Sequence, residues 1–295
     1  MNAEQSISQN DIAGVVVLYN SSPDCLENIK TYITQLHRLY VVDNSPTTSP
    51  WIANSLLNHP RVRYHHFPQN AGIATALNVG AQQAINDGYR YLLTMDDDSR
   101  APVDMIPKMI RYLATSQPDT IGILAPKHIL SVNIPEPLLP EKSLAIDVRT
   151  TMTSGNLVNL AAYQRVGHFD DGLFIDVVDH DFDLRLKAAG YRIVELTDLH
   201  LVHRLGTPKR VRFTGLTYIS HSPARNYYLV RNSLVVAIRN RHNYPFYLLT
   251  ALLTVSIEIV KAALVEDKRL LRLRLIGKAL ADGIRKRTGK LSDAY

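Results

Sequence analysis

Cysteine is almost absent from this 295-residue chain, Cys25 being the only one. An internal disulfide framework is thereby excluded, which fits a reducing compartment. Also missing is the basic-then-apolar order of a signal peptide. Met1 to Asp11 is polar, so a cytoplasmic protein is expected, peripheral at the inner face of the membrane if the tail described below holds it there. Internal repeats, low-complexity tracts and nucleic-acid motifs are absent. No Gly-rich phosphate loop with a basic residue follows the first apolar run, where Leu18-Tyr19-Asn20-Ser21 stands, and this counts against a sugar nucleotidyltransferase. What remains is 46% hydrophobic and 20% charged residues, enough apolar material for a sizeable core.

Short apolar runs alternate with helical patterns through the first half. Ile12–Tyr19, Leu39–Val42, Val62–Phe67 and Tyr91–Met95 read as strands, the first two buried on both faces. Pro23–His37 and the Ala-rich Gly72–Asn86 read as helices, as does the stretch from Pro102 to Thr115, before a strand at Ile121–Leu124. This alternation predicts a mostly parallel sheet flanked by helices. Ser131–Thr150 is Pro-rich and reads as a loop over the site. A helix is expected over Asp179–Ala189 and a strand over Tyr191–Leu196. From about Leu216 strand signals vanish. The expected organisation is therefore a flexible 1–11, a catalytic domain over 12–215 and a helical extension over 216–295.

The most informative stretch is Asp96-Asp97-Asp98, directly after the Tyr91–Met95 run. Adjacent carboxylates at a strand end repel one another, and a divalent cation with oxygen ligands is their natural partner. Asp43-Asn44 and Asn70-Ala71-Gly72 also follow predicted strands, and ligands of parallel sheets bind outside the strands' carboxyl ends. A second acidic cluster surrounds Asp179. There Asp179 sits where a helix start favours an anion, while Asp181 and Arg185 have the spacing of a helix-face pair. His203 offers an imidazole that suits a transition metal beside carboxylates. His65 and His66 are assigned no chemistry.

The ordered blocks Val41–Ser45, Asn70–Gly80, Leu92–Ser99, Thr153–Leu157, Leu173–Arg185, Gly190–Ile193, His203–Gly206 and Tyr227–Asn232 resemble the family 2 inverting glycosyltransferases, and among them the rhamnosyltransferase-like enzymes of bacterial surface polysaccharide and lipopolysaccharide assembly. The resemblance covers about residues 12–240. It implies a nucleotide-binding GT-A-type fold and transfer of a sugar, L-rhamnose from dTDP-rhamnose being the leading expectation, to a hydroxyl of a glycan or lipid-linked glycan. By the same resemblance Asp43 contacts the nucleotide base, and Asn70, Gly72 and Asn78 line the nucleotide and donor pocket. Asp96 and Asp98 end an Asp-any-Asp metal motif for Mn or Mg, with Asp97 between them on the nucleotide sugar and His203 as a further ligand. Asp179 falls at the catalytic base. Val178 departs from the family, many of whose members carry an acid there, so Asp179, Asp181 and Asp176 all stay open as the base. A non-catalytic nucleotide-sugar-binding scaffold is the competing reading.

The tail carries the charge asymmetry. From Lys261 onward ten Lys/Arg face four Asp/Glu, which equals the whole chain's net +6. With Leu and Ile rather than aromatics between the basic residues, an anionic membrane surface is favoured over nucleic acid. The apolar Pro245–Leu264 stretch approaches the length of a membrane span but contains Glu258 and Lys261, so surface insertion is expected, with packing on the catalytic domain or across a homo-oligomer as the alternative.

Overall fold

The computed structural model describes residues 6–130, 145–203, 208–210 and 217–292. It divides into two compact units, the first made of residues 1–169 and 182–204, the second of 170–181 and 205–295.

The first unit is built on a mixed sheet. Four strands run parallel at one side: β1 (Ile12–Leu18), β2 (Arg38–Asp43), β3 (Val62–His66) and β4 (Tyr91–Asp96), in the order β3-β2-β1-β4. Their apolar runs are covered on both faces, so Val16, Val41 and Met95 on one face and Val15, Val42 and Leu92 on the other are all buried. The sheet continues through β5 (Ser99–Arg100), β6 (Ile121–Leu130), β7 (Ala145–Asp147), β8 (Asn156–Asn159) and β9 (Arg192–His203). β8 lies antiparallel between β4 and β6, while β6 runs parallel to β9.

Helices α1 (Cys25–Ile33), α2 (Pro50–Ser55), α3 (Ile73–Asn86), α4 (Met105–Thr115) and α5 (Leu160–Val166) belong to this unit, and α6 (Val178–Ala188) enters it from Phe182 onward. In α3 the buried residues Ala74, Leu77, Gly80, Ala81 and Ala84 recur at helical spacing, the stripe that packs on the sheet. Gly80 permits the approach, since a Cβ there would lie 2.3 Å from Val15 Cγ2.

The predicted loop over 131–150 meets the structure only at its end. Residues 131–144 lie outside the described residues, and Ala145–Asp147 is not loop but a strand antiparallel to β9. β6 and β9 run well past the predicted Ile121–Leu124 and Tyr191–Leu196, with register breaks at Ile121/Ile123 and Pro126/Lys127 that interrupt the apolar pattern. In this unit α2, β5, β8 and α5 were also not predicted.

In the second unit, α7 (Pro223–Asn240), α8 (Pro245–Leu264) and α9 (Arg269–Ile284) pack around Tyr227, Val230, Val255, Leu275 and Ile276. Strand signals do not end at Leu216. A short antiparallel pair, β10 (Pro208–Arg210) and β11 (Thr217–Ile219), precedes the helices.

Candidate functional site

The register of the four parallel strands brings their carboxyl ends to one edge. Leu18 pairs with Asp43, Asp43 with His66, and Val17 with Asp96. The polar clusters that follow these strands are therefore neighbours, and hydrogen bonds lace them together. Asn44 donates its amide to Asn70 Oδ1 at 3.0 Å and accepts from the Ala71 N–H at 2.8 Å. Asn70 Oδ1 also accepts from the Gly72 N–H at 2.9 Å. Gly72, with φ at 89°, turns the chain into α3, a backbone angle that side-chain-bearing residues rarely adopt.

Asp43 is fully buried. Its carboxylate accepts from the Ser45 N–H at 3.0 Å and from Tyr64 Oη at 2.7 Å, so it builds the turn beneath Asn44. Contact with a nucleotide base would use a lone pair beyond those two. Burial, with the Asp43 hydrogen bond and charge adding to it, pushes the Tyr64 phenol up to about 12.

The acid triplet is held from several sides. Ser21 Oγ donates to the Asp97 carboxylate, and Asn28 Nδ2 donates to the Asp97 carbonyl at 2.7 Å. The Asp96 N–H donates to Ser154 Oγ at 3.1 Å, and that hydroxyl donates in turn to Ser99 Oγ at 2.8 Å. Just beyond Asp98, Ser99 pairs across the sheet with His203. The backbone thus sets His203 opposite the end of the triplet, while its side chain lies outside the described residues. Ser21, Asn28 and Ser154 were not assigned a role from the sequence. For Ser21 the available signal was its place in the turn after β1.

Asn78 sits in the second turn of α3 and tethers a distant segment. Its Nδ2 donates to the Phe169 carbonyl at 2.8 Å, and its Oδ1 accepts from the Phe169 N–H at 3.0 Å and from Tyr163 Oη at 2.8 Å. These hydrogen bonds hold Phe169 and Tyr163 to α3 within the first unit. An open polar depression among Gln9, His37, Arg38 and Arg61 lies at the strands' amino ends, the opposite edge from the acids.

The second acidic cluster has its own architecture in the second unit. Asp179 lies half-buried in the first turn of α6 and accepts from the His180 N–H at 2.8 Å. Asp181 is buried and within 3.6 Å of Arg239 Nη1, while Arg239 also donates to Asp170. Asp176 receives Arg225 in a forked pair, Nε at 3.1 Å and Nη2 at 3.0 Å from Oδ1. Burial still pushes the Asp176 carboxyl above the usual carboxylate range, against the pull of Arg225. Arg185 donates to the carbonyls of Val166, Gly167 and His168.

The segment leading into α6 is strained. Phe174, Asp176 and Val177 all have positive φ, at 67°, 64° and 65°. Such residues cost on the order of 1–3 kcal/mol each and persist only where the surroundings over-determine them. Here the surroundings are two fully buried neighbours on α7. Asn232 Nδ2 reaches the carbonyls of Leu173, Ile175 and Asp176, each at 2.8 Å. Arg231 donates to the carbonyls of Gly172 and Leu173 at 3.0 and 3.1 Å and to Asn232 Oδ1 at 2.9 Å.

Among the described residues, no group of three His, Cys, Asp or Glu side chains converges as a ready metal cage. The Asp96 and Asp98 carboxylates are nevertheless of the donor type that Mg and Mn take, and Mg sites commonly use one or two carboxylates plus substrate phosphates.

Residues 15–147 match the family model described as Glycosyl transferase family 2. Over 296 aligned residues, 95% of this chain and 97% of the relative, the protein is 29% identical to dTDP-rhamnosyl transferase RfbF of Shigella flexneri. Among solved structures it is similar to S. aureus TarS 1–349 in complex with UDP-GlcNAc, with a TM-score of 0.62 at 16% identity over 94% of this chain and 81% of that one. It spans 48% of the longer TarS chain. GalNAc-T7 with UDP, GalNAc and Mn2+ superposes with a TM-score of 0.53 at 14% identity, over 76% of this chain and 47% of the other. At these identities the structures establish the fold, which is the GT-A-like α/β arrangement.

Proposed function

We infer, from the match of residues 15–147 to the glycosyl transferase family 2 model, that the protein is a glycosyltransferase that moves L-rhamnose from dTDP-rhamnose to a hydroxyl of a glycan or lipid-linked glycan, with inversion. The observation that carries this reading is the carboxyl edge of β1–β4, along which the Asn44–Asn70 pair and the acid triplet follow neighbouring strands. That edge is where a parallel sheet receives a nucleotide. The near full-length likeness to a dTDP-rhamnosyl transferase supports the choice of donor.

Transfer forms a bond between the acceptor oxygen and the sugar's anomeric carbon while the bond to the diphosphate breaks. The diphosphate leaves with the electron pair, and the acceptor's proton must go to a base. A divalent ion held by Asp96 and Asp98 would supply positive charge for that departing diphosphate. Asp97, gripped by Ser21 and Asn28, fixes the conformation of the triplet.

Asp179 is the base of choice among the three open candidates. A base must be reachable and charged, and Asp179 is half-buried in the first turn of a helix, where the dipole favours the carboxylate. Asp181 is buried against Arg239, and Asp176 is occupied by Arg225.

The test is a panel of nucleotide sugars incubated with Mn or Mg and, in parallel, with EDTA. Metal-dependent release of dTDP from dTDP-rhamnose is expected. Release from another donor alone would overturn the rhamnose assignment, and full activity in EDTA would remove the metal. Binding of nucleotide without turnover on any acceptor would establish the scaffold reading instead.

A further inference from the structure

Helix α8 presents an unusual surface. Its 20 residues extend about 30 Å. The buried positions are Tyr247, Ala251, Val255, Glu258 and Ala262, which at 100° per residue occupy an arc of only about 80°. The exposed positions cover about 200° on the same wheel, and this arc carries no charge. Phe246, Leu249, Leu253, Ile257, Val260 and Leu264 stand on it, Phe246 at 75% and Leu264 at 66% exposure.

Polar groups on this helix are satisfied from within. Thr250, Thr254 and Ser256 donate their hydroxyls back to the carbonyls of Phe246, Thr250 and Leu252. Glu258, on the buried stripe, accepts from Asn226 Nδ2 and from Lys261 Nζ at 2.8 Å. The two charges that interrupt the apolar run in the sequence are therefore paired with each other. The outer arc offers surrounding water nothing beyond apolar atoms and hydroxyls already bonded to backbone.

A protein partner would cover one face and bring polar contacts at a regular density. An arc this wide, with its hydroxyls turned inward, suits acyl chains that surround a helix from the outer side. Exposed Arg241 precedes the helix, and exposed Lys268 and Arg269 follow it next to exposed Asp267, so basic groups outnumber acids at both ends. The helix is long and apolar enough to cross a bilayer, but α7 and α9, which contact it and carry buried Arg231, Arg272 and Asp282, favour a surface position over a crossing.

We propose that the outer arc of α8 docks the protein on an anionic lipid bilayer, its apolar residues in the acyl region and the cations at its ends on lipid phosphates. This surface uses none of the residues assigned to sugar transfer, so its fate is separable from that reading.

The experiment is co-sedimentation of the full chain with vesicles of phosphatidylcholine alone or mixed with phosphatidylglycerol. The unaltered protein should pellet with the mixed vesicles. The double variant Leu253→Glu/Val260→Glu, changed only at exposed positions, should bind at least roughly tenfold less while keeping its circular dichroism and its turnover with a soluble acceptor. Arg241→Glu/Lys268→Glu should abolish the preference for phosphatidylglycerol. Failure of the unaltered chain to pellet with either vesicle, or pelleting that Leu253→Glu/Val260→Glu leaves unchanged, overturns the proposal. So does a concentration-dependent dimer that this variant dissociates in the absence of lipid, which would give the face to a second copy.

Discussion

Asp179 and Asp181 stand on the same helical turn yet differ in what removing their charge should do. Asp179→Asn is expected to lower kcat by at least about a hundredfold, the usual weight of a general base, with a melting temperature close to that of the parent. Asp181→Asn should do the reverse. It takes the charge from a buried carboxylate that faces Arg239, which keeps Asp170 as its partner, so a cost of about 1 kcal/mol and a few degrees of melting temperature is expected. Steady-state kinetics beside thermal unfolding separates the two. A parallel contrast holds in the triplet. Asp98→Asn should abolish the response of turnover to Mn or Mg, whereas Asn28→Ala, which frees the Asp97 carbonyl, should reduce turnover and leave that response in place. The triplet stood out in the sequence because it ends an apolar run beside two other polar clusters that also follow predicted strands. Its holders were not legible, since Ser21 and Ser154 are ordinary hydroxyls until the chain brings them to Asp97 and Asp96.

At the scale of elements, the docking of α3 on β1 sets where Asn70 and Gly72 stand. Gly80→Ala places a methyl 2.3 Å from Val15 Cγ2 and should destabilise by about 1–3 kcal/mol; chemical denaturation would measure it. Turnover per folded molecule should also fall, because α3 would ride outward and carry the turn before it. The segment into α6 makes a second case. Asn232→Ala removes a donor from three carbonyls, of which Leu173 keeps Arg231, so a loss of about 1–3 kcal/mol is expected, together with a raised KM for acceptor if the strained turn relaxes. The strands β1, β2 and β4 and the helix α3 were readable because each is an apolar run or stripe of sufficient length. By contrast, β8 and α5 share the continuous segment Asn156–Val166, in which one period of hydrophobicity gives way to another without a Gly or Pro to mark the change. β7 has three exposed residues and owes its existence to pairing with β9, a partner no local pattern names.

Across the whole molecule, burial of titratable groups predicts sensitivity to alkali. Burial, reinforced by the charges of Asp97 and Asp24, pushes the Cys25 thiol from 9.0 up to about 12. A group whose pKa is raised on folding contributes stability that is complete below its unfolded value and lost as pH rises through the folded one. Melting temperature should therefore fall as pH climbs from 9 towards 12, with Tyr64 adding to the decline near the top of that range. The Cys25→Ala variant should show a shallower slope over the same interval. The alternation of strands and helices made the first unit's architecture readable, and the basic tail announced itself in the charge count. The union of Asp170–Asp181 with the C-terminal helices was not readable, because Arg231 and Asn232 reach back some sixty positions for carbonyls that carry no side-chain signature. Cys25 also serves a practical end. It is the only thiol in the chain, it is 5% exposed, and it feels the charge of Asp97. Its rate of alkylation, followed with and without nucleotide sugar, is thus a built-in reporter of how often the ground beneath the acid triplet opens to a reagent.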